Sequence, residues 1–124
     1  GGDLPDATHE ACQRIRKSIA AEPLFIAGQG RACSAINAAY GETITVKTGA
    51  EGVYSAAFHE LGLGAAVKAR DGNKRGAEVA IGAVINAFGY PIEKSVKGFF
   101  QPKLLNWAGD EVGDITVPNF VLCS

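Results

Sequence analysis

Apolar residues recur along this chain with two different periods, and the changes of period mark out helical and extended stretches. Ala11, Cys12, Ile15 and Ile19 follow the three- and four-residue spacing of one helix face, so residues 6–21 are expected to form an amphipathic surface helix. Asp6 or Thr8 can cap its start, and Pro23 prevents its continuation. After the Gly28-Gln29-Gly30 turn, Ala32, Cys33, Ile36, Ala39 and Tyr40 predict a second, shorter helix ending at Gly41. The period then drops to two. Residues 43–48 are β-branched and alternating, Gly49-Ala50-Glu51-Gly52 supplies a turn, and residues 53–59 read as the antiparallel return strand. Residues 64–69 add a third strand and complete a meander.

The helical period returns after Asp71-Gly72-Asn73. Ala77, Ala80, Ile81, Val84, Ile85 and Phe88 form one apolar stripe over residues 74–88, closed by Gly89 and Pro91. Asp71 reads as the cap of this helix and as an ion-pair partner for Arg75. Gly82, inside the helix, costs about 1 kcal/mol relative to alanine, which implies close packing of the helix on the sheet. A helical turn is expected near residues 92–97 and a chain reversal at Asn106-Trp107-Ala108-Gly109. Residues 112–117 read as a last strand, one able to join the sheet. The fold class implied is α+β, an antiparallel sheet flanked by helices.

Composition narrows the function classes. In 124 residues, 12 basic against 13 acidic side chains leave a net charge of −1, so no basic surface recruits nucleic acid or an anionic membrane. The apolar run 79–85 is far short of the roughly 20 residues that cross a bilayer, and a cytoplasmic location is expected. Cys12, Cys33 and Cys123 are odd in number and widely spaced, which predicts buried free thiols rather than disulfides or a zinc site. His9 and His59 have no neighbour at ligand spacing and read as surface or structural histidines. No methionine occurs and the chain begins Gly1-Gly2, so a longer parent chain is expected, with residues 1–124 as one domain or subdomain of it. Gly1 also lacks the nucleophile that an N-terminal-nucleophile hydrolase needs.

The sharpest chemical feature is Lys47-Thr48-Gly49 at a strand end. Serine acyl-transfer enzymes of the β-lactamase type place such a strand beside the bound substrate. There the ammonium holds a carboxylate or shuttles a proton, the hydroxyl bonds substrate, and the glycine allows close approach. Glu51, in the turn that follows, can orient Lys47, hold a substrate ammonium, or stand in water as a turn carboxylate. Ser55 has no adjacent base and makes a poor nucleophile.

Val46-Lys47-Thr48-Gly49-Ala50-Glu51-Gly52-Val53, Leu61-Gly62-Leu63-Gly64-Ala65-Ala66-Val67-Lys68, Asp71-Gly72 and Arg75 resemble the L-asparaginase II family of the rhizobial inducible and fungal type. The resemblance extends upstream to Glu22-Pro23 and Ala27-Gly28-Gln29-Gly30-Arg31. Downstream it takes in Pro102, Leu104-Leu105-Asn106-Trp107-Ala108-Gly109 and Val112-Gly113-Asp114-Ile115. It implies hydrolysis of L-asparagine to aspartate and ammonia by serine and lysine pairs, on a serine β-lactamase/glutaminase-like fold of which this chain is the C-terminal part. Lys47 matches the family's strand lysine, which would assist proton transfer from an upstream serine. Gly49, Glu51 and Gly52 match the adjoining loop, whereas Thr48 stands where glycine is often found. Catalysis is therefore assigned to Lys47 and substrate contact to Thr48, Gly49, Glu51 and Gly52.

The family's Ser-x-x-Lys motif, second serine and metal ligands would lie upstream, and no Ser-x-x-Lys occurs in this chain. The chain alone is expected to be inactive and to need no cofactor, any metal site belonging to the upstream portion. Expected partners are L-asparagine, that upstream portion and further copies of the chain, since uncovered sheet edges favour self-association. The alternatives are a glutaminase, a β-lactam-recognising hydrolase, or a non-catalytic binding or assembly module.

Overall fold

A computed structural model describes residues 4–117. In chain order its elements are α1 (Asp6–Ala21), α2 (Leu24–Ala27), α3 (Ala32–Tyr40), β1 (Ile44–Gly49), β2 (Val53–Phe58) and β3 (Leu63–Lys68). They are followed by α4 (Lys74–Ala87), α5 (Lys97–Phe100), β4 (Lys103–Leu105) and β5 (Glu111–Asp114). The fold is α+β, with an antiparallel three-stranded sheet in the order β1-β2-β3. β1 is thus an edge strand. Residues 4–47 with 56–64 cluster as one compact unit, and residues 48–55 with 65–117 as a second, so each of the three strands is divided between them.

In the first unit, α3 and the neighbouring strand segments supply the buried apolar residues Ala32, Cys33, Ile36, Ile44, Val46, Ala56 and Phe58. Alternation along β1 buries Ile44 and Val46 and turns Lys47 outward, as a two-residue period requires. Asn37 is fully buried among them. Its amide donates to the Cys33 carbonyl at 2.8 Å and the Val46 carbonyl at 2.9 Å, and its Oδ1 accepts the Val46 N–H at 3.0 Å. One side chain thereby serves as a strand partner for Val46 and satisfies groups that burial would otherwise leave costly.

α1 has the expected span, and of its expected face Ala11 and Ile19 are half-buried while Cys12 and Ile15 are not. Ile15 is 60% exposed and Cys12 is exposed, whereas the half-buried positions include Gln13, Arg16 and Ile19. Arg16 is half-buried and its guanidinium binds the Glu42 carboxylate at 3.2 Å. Neither Asp6 nor Thr8 caps the helix; Pro5 occupies the cap position and contributes only its carbonyl, to the N–H groups of Thr8 and His9. Pro23 ends α1 as expected but also starts α2, because a fixed φ is suited to a helix start.

In the second unit, α4 buries Ala77, Val79, Ile81, Gly82, Val84 and Ile85. Gly82 meets Phe100 of α5 rather than the sheet. A Cβ at position 82 would stand 2.4 Å from the Phe100 ring, so the glycine is required by helix-on-helix contact. The helical turn expected near residues 92–97 lies further along, at α5. The last strand does not join the meander. β5 pairs with β4 in a separate antiparallel hairpin, Leu104 opposite Gly113 and Lys103 opposite Asp114.

Candidate functional site

The candidate residues occupy the end of β1 and the turn into β2. Lys47 follows buried Val46 and is exposed. The Thr48 hydroxyl is turned back into the hairpin, donating to the Val53 carbonyl at 3.2 Å with the Gly49 carbonyl at 3.3 Å. Gly49 permits the two arms to approach: a Cβ there would stand 3.2 Å from the Val53 Cβ. Thr48 and Gly49 thus have architectural tasks within the hairpin.

Glu51 is the one non-glycine residue with positive φ among those described, at 57°. That region is disfavoured for a side chain with a Cβ, and its occupation signals a locally over-determined backbone. The Lys68 ammonium donates to the Glu51 carbonyl. Gly52, at φ 71°, is buried, and its carbonyl accepts the Ala69 N–H at 2.8 Å. A Cβ on Gly52 would meet the Gly72 carbonyl carbon at 2.8 Å and the Ala69 Cβ at 2.9 Å. The turn is therefore seated on the loop between β3 and α4.

That loop has its own side-chain bracing. Asp71 accepts the Asn73 N–H at 2.9 Å, and Asn73 accepts the Arg75 N–H at 3.0 Å. The cap of α4 is thus Asn73, not Asp71. Asp71 instead makes the turn that delivers Asn73. Among the described residues no ion pair joins Asp71 to Arg75.

Away from this hairpin, Thr45 and His59 meet at 2.8 Å between Oγ1 and Nε2. Burial and the nearby Arg16 guanidinium lower the His59 pKa below its usual value of 6.5, against a smaller opposing pull from Glu42. His9 is exposed, 3.4 Å from Gln13. Cys33 is buried but Cys12 is not, which corrects the expectation for that thiol, and Cys123 lies outside the described residues. Among the described residues no cluster of three or more His, Cys, Asp or Glu side chains can hold a metal ion. Among them, too, no helix is long and apolar enough to cross a membrane. A cavity of 520 Å³ against α4, α5 and β5 is lined by Val79, Phe100, Lys103 and Ile115, among others, and by none of the candidate residues.

Comparison with known families decides what this hairpin belongs to, since the L-asparaginase II model matches residues 2–117. The chain belongs to the L-asparaginase II family. No curated protein matches it. Membership assigns asparagine hydrolysis, an amidohydrolase activity, at the level of the family, with asparagine as the substrate class. Within this asparaginase II chain, sequence reasoning missed Lys68, Asn73 and Asn37 as the residues that brace the region. Asn73 carried a signal, standing just before a helical stretch; a lysine bonded to a carbonyl carries none.

Proposed function

We propose that this chain supplies the Lys47 wall of a serine-lysine asparaginase site on a serine β-lactamase-like fold, with the nucleophilic serine contributed from an upstream portion. The observation that carries the reading is an exposed Lys47 on an edge strand, inside a family match that spans most of the chain. β1 has no strand neighbour on its outer side, where Asn37 meets Val46 and leaves the exposed Lys47 side chain available to substrate or to another segment.

In the acylation step the upstream serine oxygen bonds to the side-chain amide carbon of asparagine. The serine proton passes by way of Lys47 to the amide nitrogen, which leaves as ammonia. Water then cleaves the ester, releasing aspartate and restoring the serine. Glu51 holds the α-ammonium of the substrate. The same reading makes the isolated chain inactive, gives it the upstream portion and further copies as partners, and places it in the cytoplasm.

Ammonia release from L-asparagine by the chain alone, by the mixture with the upstream portion, and by the Lys47→Ala mixture tests this. Release from the wild-type mixture only supports it; Lys47-dependent release from the lone chain overturns the split site. A second reading, a non-catalytic assembly module, is favoured by the Thr48 hydroxyl being turned to the Val53 carbonyl and by Gly52 packing on Gly72. It predicts a mixture with no affinity for asparagine.

A further inference from the structure

The turn after the Lys47 strand is held by a residue to which no role has been assigned. Glu51 sits in left-handed backbone where glycine or asparagine is the inexpensive choice. A conformation of that kind persists only when its surroundings impose it. Three contacts from the β3–α4 segment do so: the Lys68 ammonium on the Glu51 carbonyl, the Ala69 N–H on the Gly52 carbonyl, and the seat of Gly52 on Gly72. Two of them use backbone or glycine atoms, which any sequence could offer in that fold. Of the three, only the Lys68 contact is made by a polar side chain.

We propose that Lys68 is a positioning residue for asparagine hydrolysis: its ammonium clamps the Glu51 carbonyl, holding Glu51 left-handed so that the turn following the Lys47 strand, and the Glu51 carboxylate it carries, keep one geometry. This rests on the serine-lysine reading above. Its chemistry is that of a compact cation on a flexible stem, which suits a single carbonyl oxygen. Lys68 touches no reacting atom. It acts on turnover through the backbone of the turn, where small misplacements are costly to rate.

Two measurements separate the clamp from the catalysis. On the full chain, hydrogen-exchange protection of the Ala69 amide reports whether Gly52 stays seated. Lys68→Met should lower it by about tenfold, and Lys68→Arg should restore it. In the mixture with the upstream portion, Lys68→Met should lower kcat by about tenfold with KM changed less than about twofold, again rescued by arginine. In a Glu51→Gly background, where left-handed backbone is no longer strained, the Lys68→Met effect on exchange should shrink. Unchanged protection in Lys68→Met, or an undiminished loss in the glycine background, overturns the clamp. An exchange response without a kcat response overturns the positioning role alone. A wild-type mixture that releases no ammonia removes the reaction Lys68 is meant to serve, and with it the positioning role, while the exchange data still decide the clamp.

Discussion

Gly52 and Gly72 touch through their backbones: a methyl group on Gly52 would lie 2.8 Å from the Gly72 carbonyl carbon and 3.0 Å from its oxygen. Because Gly52 also has φ 71°, both space and backbone conformation exclude a side chain there.

Gly52→Ala should therefore cost about 3 kcal/mol, the sum of left-handed strain and overpacking against atoms that cannot rotate away. Urea unfolding measures it, and Gly62→Ala is the control. Gly62 also has positive φ, but a methyl group there would meet nothing within 4 Å, so it should lose only the strain part. Equal losses at the two sites would show that the contact with Gly72 contributes nothing.

Asn37→Ala should destabilise the chain by about 3 kcal/mol, since it removes the side-chain partner of both the Val46 N–H and the Val46 carbonyl. Asn37→Asp should also be damaging, because a carboxylate cannot donate to the Cys33 and Val46 carbonyls. Thermal unfolding of the two variants checks this, and a neutral Asn37→Ala result would contradict the bridging role.

Lys47 and Thr48 are adjacent, and the two should separate cleanly in a variant study. Lys47→Ala should lower kcat in the mixture about 10²- to 10⁴-fold, the range for losing a general base. Thr48→Val should cost about 1 kcal/mol of stability through the lost bond to Val53, with kcat/KM within about twofold of wild type. A large catalytic loss in Thr48→Val would return the hydroxyl to the substrate.

His59 sets a pH dependence whose sign follows from its lowered pKa. The unfolded chain, with the usual value of 6.5, binds the proton more readily than the folded one. The contribution to stability is thus fully present above 6.5 and lost as pH falls through the folded value. Urea midpoints taken on either side of 6.5 should show stability falling toward acid, with a shallower fall in His59→Gln. An identical slope in that variant would assign the dependence to other groups.

Much of this architecture is legible from period alone. α3, the meander and α4 lie within a residue or two of where the alternation and the apolar stripe put them, because Ile44, Val46, Ile81 and Ile85 are both periodic and buried. What periodicity does not carry is the choice among near-equal partners. Ile15 and Arg16 are neighbours on one helix, and only the tertiary position of Glu42 explains why the arginine is the half-buried one. Likewise Val112 alternates like a strand of the main sheet, but nothing in its spacing tells one partner strand from another. At the site, Lys47 and the Gly49–Gly52 turn were readable as residue types in a strand end. Lys68 was not, since its role depends on a carbonyl 17 residues earlier in the chain.

The contact between Gly82 and Phe100 joins two positions into a single unit of inheritance. Any lineage that enlarges position 82 must first shrink or reorient the ring at 100, and a lineage that loses the ring frees position 82 to become alanine and gain helix propensity. Among homologous chains the two positions should therefore vary together, with small–large and large–small pairs common and large–large pairs rare.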